Sequence, residues 1–168
     1  GISQYGLAKQ ISVSTADAEI FLKAYFKKFP EIKDYMSSTI KHCRRNGFVN
    51  NIFGRKTHII GINDKNFNIR NFQERAAINA PIQGSASELM RIAMIRIFNK
   101  LKDDTKLKTK LLLQIHDELI FEIPNNELDR IKKLIKTEMT SVKSSEHHTF
   151  SIPILVDVNI GDNWGMLH

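Results

Sequence analysis

Residues 111–123 read LLLQIHDELIFEI, so that His116, Asp117 and Glu118 separate two apolar runs. Both runs have the composition of strands, and so short a polar break between them predicts a β-hairpin. The three polar residues would then lie at the tip of the hairpin. Four apolar side chains are expected to anchor its strands in a core: Leu113, Ile115, Leu119 and Phe121. The stretch therefore predicts a rigid platform that presents carboxylates at its edge.

Carboxylates on such a platform suit metal-assisted phosphoryl transfer. Mg²⁺ demands near-octahedral geometry, keeps several waters, and is bound by one or two carboxylates together with substrate phosphate oxygens. A His-Asp-Glu sequence at a hairpin tip is equally compatible with a solvated acidic turn. The motif on its own therefore leaves both interpretations open.

Two consecutive helices are predicted in the N-terminal part of the chain. Ser14 or Thr15 can cap the first helix, whose apolar residues recur at helical spacing until Pro30 stops it. Pro30 can also be the first residue of the second helix, which would run to Gly47. Residues 48–56 then have the pattern of a short strand and turn.

A longer helical region is predicted over residues 67–101, with Pro81 breaking or kinking it. After the hairpin, Asn125 or Asn126 can cap another helix. Residues 152–160 have the pattern of a last strand. This order predicts an α+β fold, with helices on one face of a small antiparallel sheet.

The composition indicates a globular chain with a polyanionic partner. The formal net charge is +7 and the pI is about 9.5, values that favour nucleic acid among possible partners. The single cysteine, Cys43, excludes an internal disulfide and a Cys-rich zinc site. No apolar run approaches the roughly 20 residues needed to span a bilayer, and no signal peptide is visible. We therefore expect no membrane association.

A second motif is the stretch of residues 74–84, ERAAINAPIQG. Arg75, Asn79 and Gln83 are four residues apart, so a helix would align them in one polar stripe. All three side chains donate hydrogen bonds, and the minor groove offers similar acceptors at every base pair. Such a stripe could grip a duplex without reading its sequence, although a solvated helix face would show the same pattern.

Basic residues occur at several other positions. They suit salt-dependent phosphate contacts, although surface lysines and arginines often serve solubility alone. The positions are Lys41, Arg44, Arg45, Arg55, Lys56, Arg91 and Arg96. The tandem His147-His148 has no partner at a metal-ligand spacing, so a loop is expected there.

Together these stretches resemble the C-terminal part of the family A DNA polymerases, the bacterial DNA polymerase I type, from end to end. Four motifs match in order: residues 1–8 (GISQYGLA), residues 74–84, residues 113–121 (LQIHDELIF) and residues 161–164 (GDNW), which close on His168. Their order and spacing are far more specific than any one motif. The resemblance implies part of a polymerase fold, with residues 1–80 mainly on the fingers side and residues 81–168 on the palm side.

The resemblance also implies a template-directed DNA polymerase that extends a primer 3′ end by a two-metal mechanism. Asp117 would hold the catalytic Mg²⁺ ions, of which the complete enzyme has two. His116 is expected near the primer terminus and Glu118 beside the site in a supporting role. The implied partners are primer–template DNA and deoxynucleoside triphosphates, in replication and repair.

DNA contacts are expected at seven positions, five of which are implied by the resemblance. Ser3 and Tyr5 match positions beside the template, and Tyr5 could stack on a template base. Arg75, Asn79 and Gln83 match contacts to template and primer near the growing end. Arg55 and Lys56 are expected to contribute phosphate contacts.

The family's partner aspartate and its nucleotide-binding cations lie upstream of Gly1. We therefore expect the chain to be an incomplete piece that is inactive alone, with an exposed sheet edge and apolar surface where the rest of the polymerase docks. A bacterial cytoplasmic location, at the nucleoid, is expected. Two alternatives stay open: a non-catalytic DNA-binding remnant, and a metal-dependent nuclease, which would need further clustered carboxylates.

Overall fold

The computed structural model describes residues 3–142, 144–145 and 148–167. Gly1, His147 and His168, which the sequence analysis considered, lie outside the described residues. The chain divides into two compact units, Gly1–Gly84 and Ser85–His168. A long helix runs from one unit into the other, and each unit is described here by itself.

The first unit is mainly helical and carries one β-ribbon. Its elements are α1 (Gln4–Ile11), α2 (Thr15–Lys28), α3 (Pro30–Asn46), β1 (Phe48–Asn50), β2 (Lys56–His58) and the first half of α4 (Phe67–Asp103). The sequence analysis identified all of these except α1 and β2, since it predicted one short strand and a turn over residues 48–56. Helix α1 is short, and Ser3 begins it as N-cap by accepting a hydrogen bond from Gly6 N at 3.1 Å.

The predicted helix boundaries in this unit are confirmed. The Ser14 hydroxyl accepts from Asp17 N at 3.1 Å at the start of α2. Pro30 is the first residue of α3, where a missing N–H costs no hydrogen bond. Gly47 ends α3 in the left-handed conformation, with φ at 78°.

The ribbon of β1 and β2 packs on the helices through alternate residues. Its antiparallel register pairs Phe48 with His58, Val49 with Thr57 and Asn50 with Lys56. Because neighbouring residues of a strand face opposite sides, Val49 turns inward while Phe48 remains on the outer face. The buried cluster consists of Cys43, Val49, Ile59, Ile62 and Ala77.

Pro81 was expected to break or kink the helix, and the break is wrong, because α4 continues through this residue. Proline removes one main-chain donor from the helix and crowds the carbonyl one turn earlier. Two side chains from other elements bond to α4 around this point. The Tyr35 hydroxyl donates to the carbonyl of Ile78 at 2.9 Å, and the Asn51 amide donates to the carbonyl of Gly84 at 3.2 Å.

The second unit combines the rest of α4 with a hairpin and one further long helix. Its elements are β3 (Lys110–Ile115), β4 (Glu118–Glu122), a 3-10 turn (Asn125–Glu127), α5 (Leu128–Ser141), β5 (Ser144–Ser145), β6 (His148–Thr149) and a second 3-10 turn (Trp164–Met166). The predicted hairpin and the helix after it are confirmed. The predicted cap of that helix is wrong, because Asn125 and Asn126 lie in the 3-10 turn and α5 follows Glu127 without a side-chain cap hydrogen bond. The fold class is α+β, as expected, and its sheets are small antiparallel pairs.

The hairpin packs against α4 and α5 mainly through β4. Leu119 and Phe121 of β4 pack against the buried Ile97, Ile131 and Ile135. Other side chains complete this cluster: Leu101, Leu107, Ile123, Leu134 and Met139.

The expectation that Leu113 anchors the core is wrong, because β3 contains an irregularity, whereas Ile115 is half-buried. Leu111 pairs with Phe121 but Leu113 pairs with Ile120, so Leu112 is an extra residue. A bulge of this kind shifts every following side chain to the other face. Leu113 is accordingly 47% exposed.

The predicted last strand is also wrong. Residues 152–160 have no regular secondary structure, although their composition suits a strand. A strand forms only where a neighbouring strand satisfies its main-chain groups. In the described part of the chain, β3 pairs with β4 alone, and neither pairs with this segment. Among the described residues, no helix is long and apolar enough to cross a membrane.

Candidate catalytic turn and DNA-contact helix

The turn of the β3–β4 hairpin contains two of the three expected catalytic residues. Ile115 pairs with Glu118, which leaves His116 and Asp117 as a two-residue turn. His116 has a positive φ of 51°, as tight hairpin turns require of their first central residue. The Gln114 amide donates to the carbonyl of His116 at 3.2 Å and so ties the turn to β3.

All three polar residues of the turn region are exposed, and Asp117 and Glu118 line a cavity of about 500 Å³ within the second unit. Asp157 and Asp162 line the same cavity. No group of three or more His, Cys, Asp or Glu residues that could hold a metal occurs among the described residues. The turn therefore offers one well-presented carboxylate, which is within the one or two that Mg²⁺ takes from a protein when phosphate oxygens complete its shell.

A buried carboxylate that the sequence analysis missed forms hydrogen bonds with the residues directly before β3. Glu127 accepts from Lys108 N at 2.9 Å, from Thr109 N at 3.1 Å and from the Thr109 hydroxyl at 2.6 Å. The Thr109 hydroxyl and the Lys108 N–H, followed by the Thr109 N–H, hold the pKa of Glu127 below its ordinary value. No local signal reveals this role, because the partners lie 18 and 19 residues earlier in the chain.

Helix α4 presents the expected polar stripe. Arg75, Asn79 and Gln83 are exposed, whereas Ala77 between them is buried in the core. Glu74, next to the stripe, forms an ion pair with Arg44, one of the basic residues noted above. The stripe thus leaves three hydrogen-bond donors on the solvent face of a helix whose opposite face is anchored.

The two remaining pairs of expected DNA contacts lie on separate elements of the first unit. Tyr5 is 69% exposed on α1, while the Ser3 hydroxyl serves as the cap of that helix. The Arg55 N–H donates to Asn51 Oδ1 at 2.9 Å. Lys56 places its ammonium 4.5 Å from the centre of the Phe48 ring.

The expected site residues thus fall into two groups. The first unit contains Ser3, Tyr5, Arg55, Lys56, Arg75, Asn79 and Gln83, and the second contains His116, Asp117 and Glu118. Each group is assembled within its own unit. That the two groups serve one substrate stays a prediction.

The model of the family described as DNA polymerase family A matches residues 1–166. The chain belongs to this family. It is 43% identical over 164 residues to DNA polymerase I of Caldicellulosiruptor bescii and 42% identical to that of Streptococcus pneumoniae. Each match covers 98% of the chain. The resemblance inferred from four motifs is therefore confirmed.

The same family is found among solved structures. A structure described as the POL domain of Pol1 from M. smegmatis, in complex with DNA primer–template and dNTP, matches with a TM-score of 0.90 and 34% identity. The match covers 99% of this chain and 28% of that one. The chain spans 19% and 18% of the length of the two polymerases named above.

Proposed function

We propose that this chain is the part of a DNA-directed DNA polymerase that supplies one catalytic carboxylate and much of the grip on primer–template DNA. The observation that carries the proposal is the family match over residues 1–166, which includes both the hairpin turn and the α4 stripe. The reaction is transfer of a deoxynucleotide to a primer 3′ end with release of pyrophosphate.

Asp117 is the metal ligand in this proposal. Its carboxylate is exposed on a two-residue turn whose strands are paired, so it is held without blocking substrate phosphates. When bound, a pair of Mg²⁺ ions activates the attacking hydroxyl and stabilises the charge on the leaving pyrophosphate. A second carboxylate would have to come from outside the two-residue turn, because Asp117 is the one carboxylate that the turn contains.

His116 and Glu118 flank this ligand and would have different roles. His116 is exposed in the turn, where its imidazole could donate a hydrogen bond to the primer terminus. Glu118 is the first residue of β4 and lies opposite Ile115. Its exposed carboxylate would support the site electrostatically rather than bind metal directly.

The α4 stripe would hold the duplex near the growing primer end. Arg75, Asn79 and Gln83 would donate to purine N3 and pyrimidine O2 atoms, which every base pair presents in the minor groove. Such contacts give affinity independent of sequence, as a copying enzyme requires. Ser3 and Tyr5 would lie beside the template, and Arg55 and Lys56 would contact backbone phosphates.

The wider assignments follow from the family. Residues 1–80 would belong mainly to the fingers and residues 81–168 to the palm of a complete polymerase. Its partners would be primer–template DNA and deoxynucleoside triphosphates, and it would act in the bacterial cytoplasm at the nucleoid. An N-terminal part of the polymerase would have to supply the remaining groups of the active site.

The proposal is tested by placing residues 1–166 into the DNA polymerase I of C. bescii in place of the matching segment. Asp117→Asn in this chimera should lower primer extension about a thousandfold, because metal-ion stabilisation of a transition state is worth several kcal/mol. Glu122→Gln is the matched control, since Glu122 is an exposed carboxylate on the same hairpin. Equal activity in these two variants would refute the role of Asp117.

A second measurement separates DNA binding from chemistry. Asn79→Ala and Gln83→Ala should each weaken primer–template binding about fivefold, whatever the duplex sequence, while Asn99→Ala on the same helix should not. The 168-residue chain alone should bind DNA without extending a primer. Extension by the chain alone, above the level of its Asp117→Ala variant, would show that it needs no further active-site groups.

A further inference from the structure

The β1–β2 ribbon and the C-terminal part of α3 form a basic surface, of which the contacts proposed above use only Arg55 and Lys56. Residues 35–63 contain five Lys and Arg residues, two His residues and no Asp or Glu. Among these cations, Arg44 forms an ion pair with Glu74 of α4. Lys41 and Arg45, by contrast, have no acidic partner among the described residues. The segment is therefore a patch of net positive charge.

Three aromatic rings lie on this surface in one continuous ladder. The ring centres of His42 and Phe48 are 5.8 Å apart, and those of Phe48 and His58 are 5.7 Å apart. Both contacts are edge-to-face, a favourable arrangement for aromatic rings, with interplanar angles of 80° and 62°. We define the His42–Phe48–His58 ladder by these three residues.

The strand register explains why the ladder forms on the outside. Phe48 and His58 are directly opposite each other in the β1–β2 pairing, and Lys56 lies two residues before His58 on the same face. The Lys56 ammonium accordingly lies 4.5 Å from the centre of the Phe48 ring. Val49 points the other way into the core, so the ladder is mounted on an anchored ribbon.

The imidazole of His42 is also held by its own helix. The Asn46 amide donates to the main-chain carbonyl of His42 at 2.9 Å and lies 3.3 Å from its Nδ1. The Asn46 amide therefore contacts both the main chain and the ring of His42. Arg45 lies three residues after His42 on α3 and therefore on a neighbouring part of the helix surface.

We propose that the His42–Phe48–His58 ladder, with Lys56 and Arg45, binds single-stranded DNA by stacking bases on the two imidazoles while the cations contact phosphates. Stacking platforms flanked by cations are the common means of holding single strands without sequence preference. The inference rests on the proposed function, since a polymerase meets unpaired template. The unpaired template would then bind to a surface separate from Tyr5 and the α4 stripe.

The test compares two probes on the full chain: an oligothymidylate of about 12 nucleotides and an abasic oligomer of the same length, which keeps the phosphates but lacks bases. His42→Ala/His58→Ala should weaken oligothymidylate binding about fivefold or more and leave abasic binding unchanged. His42→Phe/His58→Phe should restore binding, because it keeps two aromatic faces. Phe21→Ala, which removes an exposed aromatic ring from α2, is the control and should bind like the parent.

The outcomes separate this inference from the proposed function. Unchanged oligothymidylate binding in the alanine variant would overturn the ladder as a binding site. Equal losses in the alanine and phenylalanine variants would overturn stacking as its mode. Blunt duplex binding, weakened by Asn79→Ala, reports the proposed function independently. Circular dichroism melting shows that each variant is folded, and the single variant His58→Ala, on an exposed strand, replaces the pair if folding fails.

Discussion

His116 occupies a backbone conformation that few residues other than glycine adopt. Its φ of 51° lies in the left-handed region, where a side chain costs about 1–2 kcal/mol. His116→Gly should therefore be more stable than His116→Ala by about that amount, since only alanine keeps the strain. Chemical denaturation of both variants measures the difference. Equal stabilities would mean that the turn relaxes to another conformation when the imidazole is removed.

Glu127 should make the stability of the second unit depend on pH. Its pKa is lowered by hydrogen bonds from Thr109 and Lys108, so the ionised form is favoured by folding. That stabilisation is present above the pKa of about 4.3 that an unfolded glutamate has, and it is lost as the pH falls through the lower folded value.

Glu127→Gln should consequently lower the midpoint of thermal unfolding at neutral pH, and the difference from the parent should shrink as the solution is acidified below about pH 4. Glu122→Gln is the control, because Glu122 is exposed and forms only a surface ion pair with Lys110 at 3.8 Å. A difference that is constant between neutral and acid pH would show that hydrogen-bond geometry matters and ionisation does not.

At the scale of elements, Asn51 joins the β1–β2 turn to α4. Its Oδ1 accepts from the N–H groups of Phe53 and Arg55 at 3.0 and 2.9 Å, and its amide donates to Gly84. Asn51→Ala should destabilise the first unit by about 2 kcal/mol, because three partly buried main-chain groups lose their hydrogen-bond partner. Asn50 is an exposed neighbour on β1, so Asn50→Ala should change the free energy of unfolding little. Hydrogen exchange of the amides in α3 and β1 measures the stability of this unit. Equal protection in the two variants would contradict the prediction.

The elements show where sequence patterns succeed and where they fail. Ser14 and Gly47 mark helix ends correctly, because capping depends on the side chain and backbone of one residue. The exposure of Leu113 could not be predicted, because a bulge reverses the alternation that the sequence shows. Pro81 does not break α4, although it removes one main-chain donor, and Tyr35 and Asn51 bond to the helix on either side of it. Residues 152–160 fail as a strand because pairing depends on a neighbour, whatever their own composition.

At the scale of the whole molecule, the candidate site was found by motif order rather than by local chemistry. A solvated acidic turn and a solvated helix face are each common, and only their occurrence together with two further motifs indicated a polymerase. Asp117 and the α4 stripe could be predicted in this way because each is a short run of residues. The Glu127 contacts and the His42–Phe48–His58 ladder could not, because they join residues that only the fold brings together.

The net positive charge of the chain comes from one of its two units. Residues 1–84 contain thirteen Lys and Arg residues against six Asp and Glu residues, whereas residues 85–168 contain twelve of each. The whole formal charge of +7 therefore belongs to the first unit. Because phosphate contacts release counterions, the salt dependence of DNA binding should originate there.

Lys41→Gln/Lys56→Gln should accordingly reduce the slope of log affinity against log salt concentration by about 2, close to one for each phosphate contact removed. Lys133→Gln/Lys136→Gln makes the same change in net charge on exposed residues of α5 and should leave the slope as it is. Titrating primer–template at several salt concentrations measures both. Equal reductions in the two variants would mean that the salt dependence of DNA binding follows the net charge of the chain. The basic surface of the first unit would then make no specific phosphate contacts.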